Sequence, residues 1–197
     1  MVTSGTFSLD GETFDVDNNV WLVGDDTEVA VVDAAHDAAA IATAVNGRHV
    51  VAIVCTHGHD DHIDAAAELA EVTGAPVLLH PADQELWEAV HPDRKPDGWL
   101  ADGQRIDVAG QALHVLHTPG HTWGSVSLHA PGLGAVFTGD TLFHGGPGAT
   151  GRSYSDATVI AASLRERLLP LPGSTVVHTG HGPDTTIAAE RPHVPTA

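Results

Sequence analysis

The stretch that most limits what this chain can become is an apolar run, Val50 to Cys55, that empties into Thr56-His57-Gly58-His59-Asp60-Asp61-His62-Ile63-Asp64. The run reads as a buried strand, and the Ala-rich pattern after Ile63 reads as a helix. Three imidazoles and two carboxylates therefore stand on the short link between two rigid elements. In an extended segment His57 and His59 project to the same side. Asp61 and His62 follow where the chain enters the helix, near enough to face a second ion beside the first. Such a link is a mount for metal.

The rest of the chain supplies elements at a similar rhythm. Residues 3–33 read as antiparallel strands broken at Asp10-Gly11 and Gly24-Asp25-Asp26, the last strand ending in Asp33. Asp37 to Val45 is helical and stops at Asn46-Gly47. Ile63 to Val72 is a second helix, Val77 to Leu79 a short buried strand, and Ala82 to Val90 a third helix. A surface loop from His91 to Gly103 carries Trp99. Four strands follow, at 105–108, 111–117, 125–129 and 134–138, then a Gly-rich loop over 143–153. A helix capped by Ser155 runs to Leu168, a last strand covers 175–177, and Thr185 to Glu190 is a short helix. The tail from Arg191 reads as loose. Two groups of strands with outer helices predict an α/β fold in sandwich layers, one domain spanning residues 1–197.

Composition narrows the function. The formal net charge is −18 and Lys95 is the one lysine, so a basic face for nucleic acid or anionic membrane is disfavoured. No apolar run reaches membrane-spanning length, and no basic-then-apolar leader opens the chain. The single cysteine, Cys55, ends a buried strand; an inert thiol and a cytoplasmic protein are expected. Of the 15 histidines, His36, His49, His91, His129 and His193 read as plain surface residues. His178, His114 and His117 read as packing residues, while His144 suits a pocket wall or a surface loop equally. Asp60 and Asp64 read as helix N-terminal carboxylates rather than ligands.

Three further strands end like the first. Strand 111–117 runs into Thr118-Pro119-Gly120-His121-Thr122, strand 134–138 into Gly139-Asp140-Thr141-Leu142-Phe143, and strand 175–177 into His178-Thr179-Gly180-His181-Gly182. Each stops at glycine beside a histidine or aspartate, where a sharp turn must bring backbone close to the site. With the first motif and Asp33, in this order, these pieces resemble the metallo-β-lactamase superfamily, and within it the glyoxalase II (hydroxyacylglutathione hydrolase) branch. The resemblance implies a four-layer αββα sandwich with its site in a groove at one edge of two sheets.

Carried over position by position, the resemblance gives His57, His59 and His121 to one ion and Asp61, His62 and His181 to another, with Asp140 bridging. Asp61 and Asp140 are then the carboxylates at the reacting centre, and Asp33 orients a ligating His or Asp61 from behind. Two divalent ions are implied, zinc foremost, with iron or manganese suited to the same thiolate-free donors. The activity implied is hydrolysis of a small acyl-thiol by a hydroxide shared between two metals. Full-length glyoxalase II carries a C-terminal helical domain with cationic contacts to glutathione; this chain ends soon after His181, so a different thiol or a smaller acyl carrier is expected. Arg152, in a Gly-rich loop longer than the family's, is the candidate for a substrate carboxylate. Phe143 and Tyr154 are candidates for the groove wall, with a core role equally open. The rival reading is a persulfide dioxygenase on the same fold, with a single Fe(II) on His57, His121 and Asp140. The oligomeric state is not legible.

Overall fold

Along Glu28–Val32, Val29 and Val31 face one core while Ala30 and Val32 face another. That alternation in an unbroken apolar run marks a strand buried on both faces, and it dictates layers on either side. The protein is described here by a computed structural model, covering residues 1–194. β1 (Val2–Leu9) and β2 (Glu12–Asn19) form a hairpin that is a sheet of its own. Its two-residue turn, Asp10-Gly11, has positive φ at both positions, the geometry whose twist suits a tight hairpin.

The first half continues with β3 (Trp21–Gly24), β4 (Glu28–Val32), α1 (Ala38–Val45), β5 (His49–Val54) and α2 (Asp60–Ile63). It ends with α3 (Ala66–Thr73), β6 (Val77–Leu79), α4 (Gln84–Val90) and β7 (Gly98–Trp99). The strands lie in the order β3-β4-β5-β6-β7 and are parallel after the first pair. The second half supplies β8 (Arg105–Val108), β9 (Gln111–His117), β10 (Val126–Ala130), β11 (Ala135–Gly139), and a small pair, β12 (Leu142–Phe143) with β13 (Gly146–Pro147). Then come α5 (Ala157–Ser163), β14 (Val176–Thr179), β15 (Thr185–Thr186) and α6 (Ile187–Glu190). This sheet runs β15-β14-β11-β10-β9-β8, with β11 and β14 its one parallel pair among the described residues.

Three apolar clusters separate four layers. One joins the first sheet to α1, α3 and α4 through Ile41, Ile53, Leu69 and Trp87. A second lies between the sheets, with Val32 and Val54 against Leu113, Val126 and Leu128. The third seats Ile160, Leu164 and Leu168 on Val136 and Val177. This is the αββα sandwich. No helix among the described residues is long and apolar enough to cross a membrane.

Several boundaries differ from expectation for local reasons. The helix after the motif is two pieces, because the Ala65 N–H turns out of the helical ladder, to the Ala34 carbonyl at 3.2 Å and to Asp64 Oδ1 at 2.9 Å. The loop from His91 to Gly103 contributes β7, which pairs with β6. Asp156 rather than Ser155 caps α5, accepting from Thr158 and Val159 N–H, while Ser155 holds Gly151 and Arg152. Beyond Ser163 the helix widens into a π turn over Leu164–Leu168. The tail is not loose at its start: Arg191 donates to the carbonyls of Leu169 and Leu171, and Val194 is buried. The expectation for the last residues, 195–197, lies outside the described ones.

Candidate metal centre

The ends of β5, β9, β11 and β14 meet at one rim of the sandwich, and each delivers its polar residue there. His57 Nε2 lies 3.1 Å from His59 Nδ1, which lies 3.0 Å from His121 Nε2. Beside this set, His62 Nε2 and His181 Nε2 are 3.2 Å apart, and Asp61 Oδ2 stands 3.3 Å from His181 Nε2 and 3.5 Å from His62 Nε2. Asp140 lies between the two sets. Its Oδ1 is 3.3 Å from His62, and its Oδ2 is 3.5 Å from both His121 and His181. Ligands 2.0–2.1 Å from a tetrahedral ion sit about 3.3 Å from one another, so these spacings fit metal. Asp140 Oδ1 is buried without a hydrogen bond, an oxygen that an ion would satisfy.

The outward nitrogens of the rings fix which way the lone pairs point. His121 Nδ1 is 2.9 Å from the Ala149 carbonyl and His181 Nδ1 2.8 Å from the Asp17 carbonyl; a carbonyl can only accept, so each Nδ1 donates. Neutral rings held this way turn a lone pair at Nε2 inward. Asp33 does the same for His62, at 3.0 Å from its Nδ1. Asp33 also accepts from Thr56 N–H and Thr56 Oγ1, both at 2.7 Å, and Thr56 Oγ1 faces His57 Nδ1 at 3.1 Å. The carboxylate that closes β4 thus steadies two rings, one in each donor set.

The model of the family described as the metallo-beta-lactamase superfamily matches residues 13–181. This chain belongs to the metallo-β-lactamase superfamily. The hydroxyacylglutathione hydrolase GloC of Haemophilus influenzae is 30% identical over 189 residues, 88% of this chain and 89% of that protein. The structure of the BLEG-1 B3 metallo-beta-lactamase superposes with a TM-score of 0.82 at 31% identity, covering 99% of this chain and 98% of that one. TTHA1623 in a di-iron-bound form gives a TM-score of 0.82 at 34% identity, covering 91% and 95%. The metallo-β-lactamase fold expected from the motifs is the fold observed, and its His/Asp clusters are built for divalent metal.

Within this superfamily scaffold the two donor sets differ in charge. Burial holds His57 well below its ordinary pKa, with His62, His59 and His121 adding to the effect, and burial takes His59 down to about 3. Those rings are neutral. In the second set burial also opposes charge, yet Asp61, Asp140 and Asp33 outweigh it and raise His62. Hydrogen bonds to Asp140 and Asp61 likewise overcome burial and push His181 up to about 10. Asp140 and Asp61, against their own burial, are held below the carboxylate range chiefly by His62. Without metal, ring protons neutralise the carboxylates.

Above both sets lies a groove of about 280 Å³, walled by Phe7 and Val16 on one side and Phe143 and Ala149 on the other. A larger hollow of about 430 Å³, bordered by Asp102, His117 and α5, holds none of the seven donors. Phe143 is therefore placed at the groove wall. Arg152 lines a recess beside the groove with Phe7, His59 and His121, but its guanidinium is engaged: Nη2 is 2.7 Å from Glu12 Oε2 and the group lies over the Phe14 ring at 5.0 Å. Tyr154, half-buried with φ +68°, is not among the residues lining groove or recess. Asp60 and Asp64 are occupied away from the donor sets: Asp60 opens α2 and accepts from Ser8 N–H, whereas Asp64 stands at the C-terminal end of α2 rather than at a helix N-terminus and pairs with His36. His178 packs between Trp21 and Phe137, and His144 is exposed.

The hairpin's strands and turn are legible in the sequence, but its place over the site is not. It lies across the groove, with Asn18 Nδ2 donating to Asp61 Oδ2 at 2.9 Å and its tip tied down by Ser153 N–H to Asp10 at 3.0 Å. His36, expected at the surface, is half-buried, its side chain only 5% exposed, and contacts Asn18 Oδ1 at 2.9 Å. Paired asparagines suit strands poorly, so Asn18-Asn19 inside a strand was the available signal.

Proposed function

We propose that this protein is a metal-dependent hydrolase that cleaves a thioester of a small acyl-thiol. The observation that carries the reading is the pair of donor sets meeting at Asp140, whose Oδ2 stands 3.5 Å from a ring of each, His121 and His181. His57, His59 and His121 would hold one divalent ion and Asp61, His62 and His181 the other, with Asp140 between. When bound, such a pair supplies a water acidified towards neutral pH and polarises an acyl carbonyl. We favour zinc; iron or manganese accepts the same donors.

The chain's own residues narrow the substrate. Asp61 and Asp140 are held as carboxylates, so neither has a proton for a leaving group. A thiolate departs without one, whereas a lactam nitrogen needs one, so a thioester suits this site better although the BLEG-1 metallo-beta-lactamase has the same fold. Phe7, Val16 and Phe143 offer an apolar wall for the acyl chain. Arg152 would reach a substrate carboxylate only by releasing Glu12. The −18 charge argues against a polyanionic substrate. Cys55, buried and with its thiol pushed up by burial, suits the reducing cytoplasm we propose.

The dioxygenase reading would use His57, His121 and Asp140 and leave His59, Asp61, His62 and His181 without a task, despite their spacing. Metal analysis joined to a panel of acyl-thiols, acyl-glutathione included, tests the proposal. Two ions per chain with thioester cleavage is the result expected. One iron per chain with oxygen uptake on a persulfide would replace the hydrolase with the dioxygenase.

A further inference from the structure

We infer that Asp83 is a positioning residue for the first donor set: one buried carboxylate clasps, from behind, the two loops that bring His57, His59 and His121 together. This rests on the reading that the donor sets hold ions. Asp83 is 1% exposed. It stands at the N-cap of α4, where an aspartate ordinarily accepts an N–H from the first helical turn, yet its side chain makes no capping bond. The carboxylate is turned the other way. Its Oδ2 accepts from Gly58 N–H at 2.8 Å and from Thr122 Oγ1 at 2.6 Å, and its Oδ1 accepts from Gly124 N–H at 2.6 Å.

Those three donors are not scattered. Gly58 is the residue between His57 and His59, and Thr122 directly follows His121. The bonds go to backbone and hydroxyl rather than to a ring, so Asp83 acts on the rings through the loops that carry them. The approach is close enough to demand glycine on both loops. A Cβ on Gly58 would stand 2.9 Å from Asp83 Cβ and Leu86 Cβ, and one on Gly124 would stand 2.5 Å from Asp83 Cγ. Donor sets tolerate misplacement of only about 0.5 Å, and these two loops come from different sheets, joined in backbone by Val126 N–H to the Thr56 carbonyl at 2.8 Å. Asp83 adds an anchor at Gly58 and Thr122, directly beside the ligating rings. It complements Asp33, which reaches Thr56 and His62 but not the His121 loop.

The test uses the full-length metal-stripped protein titrated with zinc and followed by histidine side-chain NMR, which reads the two sets separately. For Asp83→Ala, the His57, His59 and His121 signals should reach their bound positions only at 10–100-fold higher free zinc, the range typical for loss of an outer partner. The His62 and His181 signals should move within about threefold of wild type. Asp83→Asn, which fills the space but turns an N–H2 onto a donor, should behave like the alanine variant. Thr122→Val removes one donor, keeps the carboxylate, and serves if Asp83→Ala does not fold; it should weaken the same three signals by a smaller factor. Equal weakening of all five rings would assign Asp83 a general packing role and overturn the inference, as would no weakening of the first three. If wild type shows zinc at the first set alone, the two-metal reading falls while Asp83 is still judged on His57, His59 and His121. If wild type shows zinc at neither, both fall together.

Discussion

At the scale of single residues, Asp140 is the side chain on which both donor sets depend, because its Oδ2 faces a ring of each and the residue is buried. Asp140→Ala should therefore lower the affinity for both ions by more than the 10–100-fold that loss of an outer partner costs. His193→Ala, at an exposed ring whose one ion-pair partner among the described residues is Glu190, should leave metal content at the wild-type value. Gly180→Ala extends the same logic without touching a donor: its Cβ would collide with Asp140 Oδ1 and meet His62 Cε1 at 2.8 Å. Metal content per folded chain checks all three, and a full complement in Gly180→Ala would show that Asp140 can move aside. The glycine was legible in sequence as a strand end beside His181. The reason it must be glycine was not, since that depends on how Asp140, 40 positions earlier, crosses over it.

Among the elements, the strands and helices that carry the seven donors were readable because each is an apolar run punctuated by Gly or Pro, and periodicity reports burial directly. The hairpin was half-readable. Its strands and its Asp10-Gly11 turn were visible, but β2 is largely exposed and polar, so no pattern announced that it lies over the groove. What holds it there are single bonds between residues far apart in sequence, among them Arg152 to Glu12 and Ser153 to Asp10. This sharpens the reading of Arg152. If the guanidinium only fastens the hairpin tip, Glu12→Gln and Arg152→Ala should alter KM for an acyl-thiol alike and speed hydrogen exchange in residues 8–14 alike. If Arg152 also holds a substrate carboxylate, Arg152→Ala should raise KM by about tenfold for a carboxylate-bearing thiol, with no such rise in Glu12→Gln. The ion pair is surface-exposed and worth at most about 1 kcal/mol, so neither change should unfold the protein.

For the molecule as a whole, three apolar clusters hold the four layers without using any of the seven donors, so the metal-stripped sandwich should stay folded and loading can be followed on an intact scaffold. The charge asymmetry of the centre then governs how loading depends on pH. His59, brought down to about 3, and His57, held well below its ordinary value, carry no ring proton to displace at pH 6. His181, pushed up to about 10, and His62, also raised, are protonated there and must each release a proton before the lone pair is free. The sign follows: affinity for the second ion rises with pH, by about tenfold per unit for each proton that His62 and His181 release, whereas His57 and His59 add no such dependence to the first. Calorimetric titration with zinc at pH 6, repeated in buffers of different ionisation enthalpy, should count about two protons from His62 and His181 at the second ion and fewer at the first, since a shared water with a pKa near 7 still keeps most of its own. The same raised pKa gives His181 a stabilising part in the metal-free fold that is complete below its ordinary 6.5 and lost as pH rises through about 10. The stability difference between metal-free wild type and His181→Ala should therefore shrink across that window. Equal proton release at the two ions, or a difference that grows with pH, would mean that the carboxylates are not neutralised by ring protons before metal arrives.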